Sequence, residues 1–264
     1  MRTTVAVITA VLLMFAFTAC NNGNDVAEAE GFAPNQTAEA YIYIHGGYVG
    51  QAIAATDGDG NLSVELDEAF LPHDLAAVDM DSDDWTEDNT VYYVRRGSEV
   101  RVAEYIEYDG TVYVGTTVGG SVTYVEADGN GDPAGGQDLE LLIIYGQDSM
   151  AAYYDNIRNG RFGVMTEFGG DVDPVTTTAY GMVTKRGSDY WDRGLGWHGN
   201  IHAMEEFIEE HGFEFNLDDM QRLDADDDGM QYWQVADAVT GATIVDFKDY
   251  FILAQAAAAQ LERN

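Results

Sequence analysis

Asp237 to Thr243, DAVTGAT, sets two hydroxyls, a glycine and an alanine just ahead of an apolar-striped C-terminal segment. Thr240 or Thr243 could cap a helix there, with Gly241 free to take a turn conformation. The same place suits a phosphate, because a helix start offers unpaired N–H groups and a partial positive charge. Gly241 and Ala242 add no bulk, so backbone and phosphate could approach closely. Four acidic stretches offer different chemistry. In residues 57–68, Asp57, Asp59, Asn61 and Glu68 fall at positions 1, 3, 5 and 12 of a calcium loop, but Leu62 stands where the sharp turn needs glycine. Residues 224–229, DADDDG, match the first half of such a loop, with Val235 in place of the closing carboxylate. Residues 79–84 and 126–132 match less well, and solvated acidic turns explain all four. His198 and His202, with Glu205 and Glu206 beyond, could hold zinc, but they do not form the HExxH pattern. GxSxG, P-loop and CxxC patterns are absent.

The first 19 residues read as a secretory leader: Arg2, then an apolar run from Val5 to Phe17, then a small-residue exit. The run ends at Cys20, the expected lipidation residue of a bacterial lipoprotein, which would anchor the chain to an extracytoplasmic membrane face. There is one cysteine, so disulfides cannot staple the fold and no thiol pair can carry redox chemistry. Any redox function must come from a cofactor. The net charge is −35, with 12 Lys+Arg against 47 Asp+Glu. Such a surface repels nucleic acid and anionic headgroups. With 46% hydrophobic residues and 16 tyrosines the chain is foldable, so the acidity points to a high-salt habitat.

The elements that must position these residues follow from periodicity. Residues 20–39 read as a flexible tether. Strand-like runs flank the turn at 57–61, and Asp109-Gly110 marks a second hairpin between alternating apolar runs. Residues 70–89 read as an acidic connection, and 121–132 and 138–146 as strands. Helices are expected over 148–160, 200–212 and 216–223. In the last helix, drawn from about Ala242, Ile244, Phe247, Phe251, Ala254, Ala258 and Leu261 form one apolar stripe. One α+β domain over 40–264 is expected, an antiparallel β-sheet with packed helices and a C-terminal helix following the 237–243 loop.

DAVTGAT also resembles the flavinylation motif of the FMN-binding domain family. That family includes subunits of the sodium-translocating NADH:quinone reductase and of the Rnf complex, and flavoprotein lipoproteins. Asp237, Thr240, Gly241, Ala242 and Thr243 fill its slots. HGGYVGQA (45–52) is similar to the Gly-Tyr-x-Gly opening strand of the same family. The resemblance implies FMN joined by a phosphoester to Thr243, placed there by a flavin transferase, with about 70–230 as a large internal insertion. It implies a lipid-anchored, extracytoplasmic electron carrier that exchanges electrons with membrane or periplasmic redox proteins. Tyr48, Tyr153, Tyr154, Phe168 and Trp191 are candidates to stack on the flavin. A flavin-free lipoprotein whose acidic loops bind calcium, and a flavin reductase with its own small substrate, are the alternatives.

Overall fold

The computed structural model describes residues 31–44, 47–191, 194–236 and 238–263. The expected leader, Cys20 and the first part of the expected tether lie outside these residues, as do His45, Gly46 and Asp237. Strands β1 (Thr37–Ile44), β2 (Tyr48–Thr56) and β3 (Leu62–Phe70) form an antiparallel sheet in that order. The expected turn at 57–61 closes β2 and β3, with Thr56 opposite Leu62. The acidic connection holds a short helix, α1 (Pro72–Leu75), and a 3-10 turn at Glu87–Asn89 capped by Thr86. Strands β4 (Thr90–Arg95) and β5 (Ser98–Ala103) pair as a hairpin. Strands β6 (Tyr105–Tyr108), β7 (Thr111–Val118), β8 (Ser121–Glu126), β9 (Phe162–Met165) and β10 (Asp173–Pro174) form a five-stranded sheet in the order β10-β9-β6-β7-β8.

Helices α2 (Leu139–Ile143) and α3 (Gln147–Arg158) lie between β8 and β9 in the chain. The two-residue strands β11 (Thr177–Thr178) and β12 (Gly181–Met182) pair, and α4 (Gly196–His211) follows. Strands β13 (Met220–Arg222), β14 (Trp233–Val235) and β15 (Ala238–Val239) make a small sheet ahead of α5 (Phe247–Ala258). The whole is α+β, with antiparallel sheets, packed helices and α5 seated on β1 and β2. Among the described residues no helix is long and apolar enough to cross a membrane.

Four expectations are corrected. Residues 139–143 are helical, because Leu139 and Ile143, four apart, are the buried pair, while Leu141 and Leu142 face solvent. A strand would bury alternate residues instead. Residues 216–223 give only a 3-10 turn, capped by the Asn216 side chain on the Asp218 N–H, before β13 begins. Helix α4 starts at Gly196, so His198 lies inside it. The last helix starts at Phe247, not near Ala242, because side chains hold 240–244 out of helical geometry. Residues 31–36, inside the expected tether, lie along the C-terminal end, where Phe32 bridges Arg263.

Strand alternation divides the first sheet between two cores. Ala40, Ile44, Ala52, Ala54, Val64 and Leu66 face α4 and α5, while Tyr41, Val49 and Ala69 face the rest of the protein. Gly50 sets the distance to α5: a Cβ there would stand 2.3 Å from Ile44 Cδ1 and 2.9 Å from Leu253 Cδ2.

Candidate functional site

The DAVTGAT loop is shaped by one indole and one amide. The Trp233 carbonyl accepts both the N–H and the hydroxyl of Thr240, at 2.8 and 2.9 Å. The Trp233 N–H donates to Ala242 O at 2.8 Å, and its Nε1–H donates to Ile244 O at 2.6 Å. The indole then stacks on Phe247, with centroids 5.3 Å apart. From α4, the fully buried Asn200 turns its Oδ1 to the next two residues. It accepts the N–H of Thr243 at 2.6 Å, the Thr243 hydroxyl at 3.2 Å and the N–H of Ile244 at 2.8 Å. Asn200 Nδ2 is fixed in turn by Gly196 O at 2.6 Å, which sets the orientation of the amide.

This geometry separates the two threonines. Thr240 is 5% exposed and its hydroxyl is spent inside the loop, where it also accepts the Ala242 N–H. Gly241 sits at φ +76°, a backbone position that disfavours a side chain, and Ala242 is fully buried. Thr243 is half-buried and lines a cleft of about 1260 Å³ with Ile244, Val245 and Asp246. Helix α5 begins only after Asp246, whose carboxylate lies at that start. The helix dipole is therefore not the cation nearest Thr243. That role falls to Arg222, whose Nη2 donates to Thr243 O at 3.1 Å.

The cleft departs from the charge of the rest of the chain. Arg95, Arg96, Lys185 and Arg222 line it against Asp74 and Asp246, whereas the whole chain has 12 basic and 47 acidic residues. Its floor is a network of rings and ions. Lys185, 2% exposed, pairs with the buried Glu68, and its Nζ stands 3.4 Å from the Tyr48 ring centroid and 4.3 Å from that of Tyr190. The Tyr48 and Tyr190 hydroxyls are 2.8 Å apart, and Arg95 donates to Tyr48 Oη at 3.2 Å and to Asp74 Oδ1 at 3.1 Å. Burial, then the Tyr190 hydroxyl, push the Tyr48 phenol well above its ordinary range, so it stays protonated. Burial, then the Glu68 charge, do the same for Tyr250, which accepts the Trp197 indole N–H at 3.2 Å.

Of the five aromatic candidates, Tyr48 and Trp191 share the cleft with Thr243. Tyr153 and Tyr154 are fully buried in the second core, and Phe168 packs against Tyr105 and Gly131. His198 is held by Ser188 O at 2.8 Å and His202 faces Glu206 at 3.2 Å on the surface. Among the described residues no group of three or more His, Cys, Asp or Glu could hold a metal. In three acidic loops the lead aspartate closes its own turn: Asp57 on the N–H of Asp59 and Asn61, Asp128 on Asn130 and Asp132, Asp226 on Asp228 and Met230. Those hydrogen bonds, with Asn61 first, hold the Asp57 carboxyl below its ordinary range.

Sequence reasoning missed Asn200, Trp233 and Arg222. Asn200 did leave a signal: it falls on the apolar stripe of α4 with Trp197, Ile201 and Met204, and a polar residue there must find a partner. Trp233 and Arg222 left none. No family model, curated protein or solved structure matches the chain.

Proposed function

We propose that the protein is a membrane-anchored, extracytoplasmic electron carrier with FMN joined to Thr243. The observation that carries this reading is a meeting of distant segments. Tyr48, from the stretch that resembles the family's opening strand, and Thr243, from the stretch that resembles its attachment motif, line one cleft. Almost two hundred residues separate them in sequence.

The residues present fit the group. The cleft exceeds the usual range for small-molecule sites, about 300–1,000 Å³. It concentrates cations in an acidic chain and presents aromatic faces. Arg222 is placed to meet a phosphate on the Thr243 side chain, with a planar fork suited to oxyanions. Asn200 orients the hydroxyl, and its Oδ1 keeps both backbone N–H donors after the hydroxyl proton is lost to a phosphoester. When bound, FMN supplies reversible one- and two-electron chemistry. Lys185 and Arg95 are already paired with Glu68 and Asp74, so the cation placed to meet added negative charge near Thr243 is Arg222. Tyr48 and Tyr190, whose hydroxyls are 2.8 Å apart, add hydroxyl groups and ring planes to the cleft. A covalent bond keeps the carrier loaded where free FMN is scarce, and lipid on Cys20 keeps it at the membrane.

The test is coexpression with a flavin transferase, followed by ultraviolet imaging of a denaturing gel. The wild-type band fluoresces, Thr243→Ala is dark and Thr243→Ser retains signal. A dark wild-type band, or a Thr243→Ala band that still glows, sinks the assignment. Cys20→Ser moves the protein from the membrane fraction to the soluble fraction.

A further inference from the structure

Tyr190, Trp191, Leu195 and Trp197 line both the cleft and a side pocket of about 310 Å³, so the two spaces adjoin. Their linings differ in charge. Arg95, Arg96, Lys185 and Arg222 line the cleft, and Arg222 is bound to Thr243 O. Among the described residues no lysine or arginine lines the side pocket, and Asp189 there disfavours an anion. Three rings and a leucine without a cation suit a neutral flat ring system rather than a phosphate. The two spaces together offer an anion end at Thr243 and an aromatic end at the side pocket.

The rings in these walls are not equally free to receive a ligand. Tyr48 is 7% exposed, and Lys185 Nζ stands 3.4 Å from its ring centroid. It also packs edge-to-face with Phe70 and Tyr190, with centroids 5.9 Å apart in both pairs. Tyr190 is engaged by Tyr48, Phe70 and Tyr180. Trp197 is 1% exposed, donates its indole N–H to Tyr250 and meets the His198 ring. Trp191 differs. It is 41% exposed, and its indole makes no hydrogen bond, ring contact or cation–π contact among the described residues. Its backbone is nevertheless fixed, because Trp191 O accepts the Trp197 N–H at 3.0 Å. Gly196 leaves room for that closure: a Cβ there would stand 3.0 Å from Trp191 O. A free indole on a tied backbone can cover a ligand ring at little cost in ordering.

We propose that the isoalloxazine ring of the FMN carried at Thr243 stacks on Trp191, with the side pocket as the seat of the ring. The identity of the ring rests on the flavin reading, while the presence of an aromatic seat does not. The probe is riboflavin, which carries the same ring and ribityl chain without the phosphate. It is titrated at fixed high salt into the full-length chain purified in detergent from cells without a flavin transferase, with detergent alone as the blank. Its fluorescence reports stacking, because an indole against the ring quenches it. Wild type, Trp191→Phe and Trp191→Leu are compared. The wild type quenches riboflavin, and Trp191→Phe keeps most of the affinity. Trp191→Leu loses about tenfold or more, as expected for one stacked ring, with an unchanged melting temperature. A second readout uses protein coexpressed with the transferase. The native wild type is dim and brightens when urea unfolds it. Trp191→Leu is bright before unfolding, with a gel band equal to that of the wild type. Absence of quenching by the wild type, unchanged affinity in Trp191→Leu, or equal losses in the Phe and Leu variants overturns the inference. So does a melting temperature that falls with the affinity, because the indole then serves the fold, or a labelled Trp191→Leu as dim as the wild type. Any of these beside a fluorescent wild-type gel band defeats this inference alone. Trp191-dependent riboflavin binding beside a dark gel band keeps the aromatic seat and defeats only the covalent flavin reading.

Discussion

The two faces of the β1–β2–β3 sheet are packed with different chemistry. The face under α4 and α5 is the drier one: its core holds a single tyrosine, Tyr250, and two tryptophans, Trp197 and Trp233, among alanines, phenylalanines and aliphatic residues. The other face buries six tyrosines, Tyr41, Tyr48, Tyr93, Tyr124, Tyr153 and Tyr154. Several tie their hydroxyls to backbone or carboxylate, as Tyr124 does to Ala103 O, Tyr153 to Phe70 O and Tyr93 to Asp74. The dry face sets the distance between helix and sheet, down to the missing Cβ of Gly50. The tyrosine face supplies donors and ring planes. The cleft opens where the two meet, with Thr243 on one side and Tyr48 on the other. Rigidity and polarity are thus contributed by separate halves of one molecule.

The sharpest way to break this comparison is a cavity in the dry face. Phe251→Ala removes a fully buried ring from α5 and is expected to cost about 3–5 kcal/mol in urea unfolding at fixed high salt. A loss under about 1 kcal/mol would mean that the face collapses easily and does not set the helix position. Next is Asn200→Leu, which leaves the N–H groups of Thr243 and Ile244 without their acceptor. About 1–3 kcal/mol of stability is lost, and flavinylation of Thr243 slows on the gel. Full stability with full labelling would remove Asn200 from the site. On the other face, Tyr124→Phe loses one hydroxyl and keeps the ring, for about 0.5–1.5 kcal/mol. If it costs as much as Phe251→Ala, the two faces are not different in kind.

The smallest effect is a pH dependence at His73. Burial disfavours its charge, but the Glu140 hydrogen bond at 2.5 Å and the Glu140 and Asp74 charges outweigh burial and Arg95, raising its pKa above 6.5. A raised folded pKa stabilises the protein fully below the unfolded value, and that stability is lost as pH rises through the folded value. The urea midpoint is expected to fall across that window and to flatten in His73→Gln. A midpoint that rises with pH in the wild type, and no longer does so in His73→Gln, would reverse the sign and assign burial the larger share.

What the sequence made legible follows from how locally each feature is determined. Of the stripe, Phe247, Phe251, Ala254 and Ala258 lie on the last helix and are buried, because spacing decides which face meets the sheet, while Ile244 and Leu261 are buried on either side of it. The turns at 57–61 and 109–110 fall where glycine and aspartate put them. The start of that helix was not legible. Trp233 and Asn200, from two other elements, hold 240–244 out of helical geometry, and no local propensity reports a partner forty residues away. The apolar run at 139–143 misled for a related reason: a short run without alternation fits strand or helix, and Asp138, by accepting the Glu140 N–H, settles it. The candidate attachment residue was legible as a pattern, but the arginines and tyrosines around it come together only through the fold.

The N-terminal end of the described body has a mechanical consequence. Phe32 stacks on Phe213 and lies under Arg263, Ala33 donates to Glu262 O, and Gln36 exchanges hydrogen bonds with Glu262. Tension applied to the chain ahead of Gly31 reaches this clasp before it reaches β1. The clasp opens contact by contact, whereas β1 is held against β2 along its whole length, from Thr37 opposite Ala55 to Ile44 opposite Tyr48. Under load the clasp is expected to yield first, freeing a few residues while the sheet beneath the cleft keeps its shape.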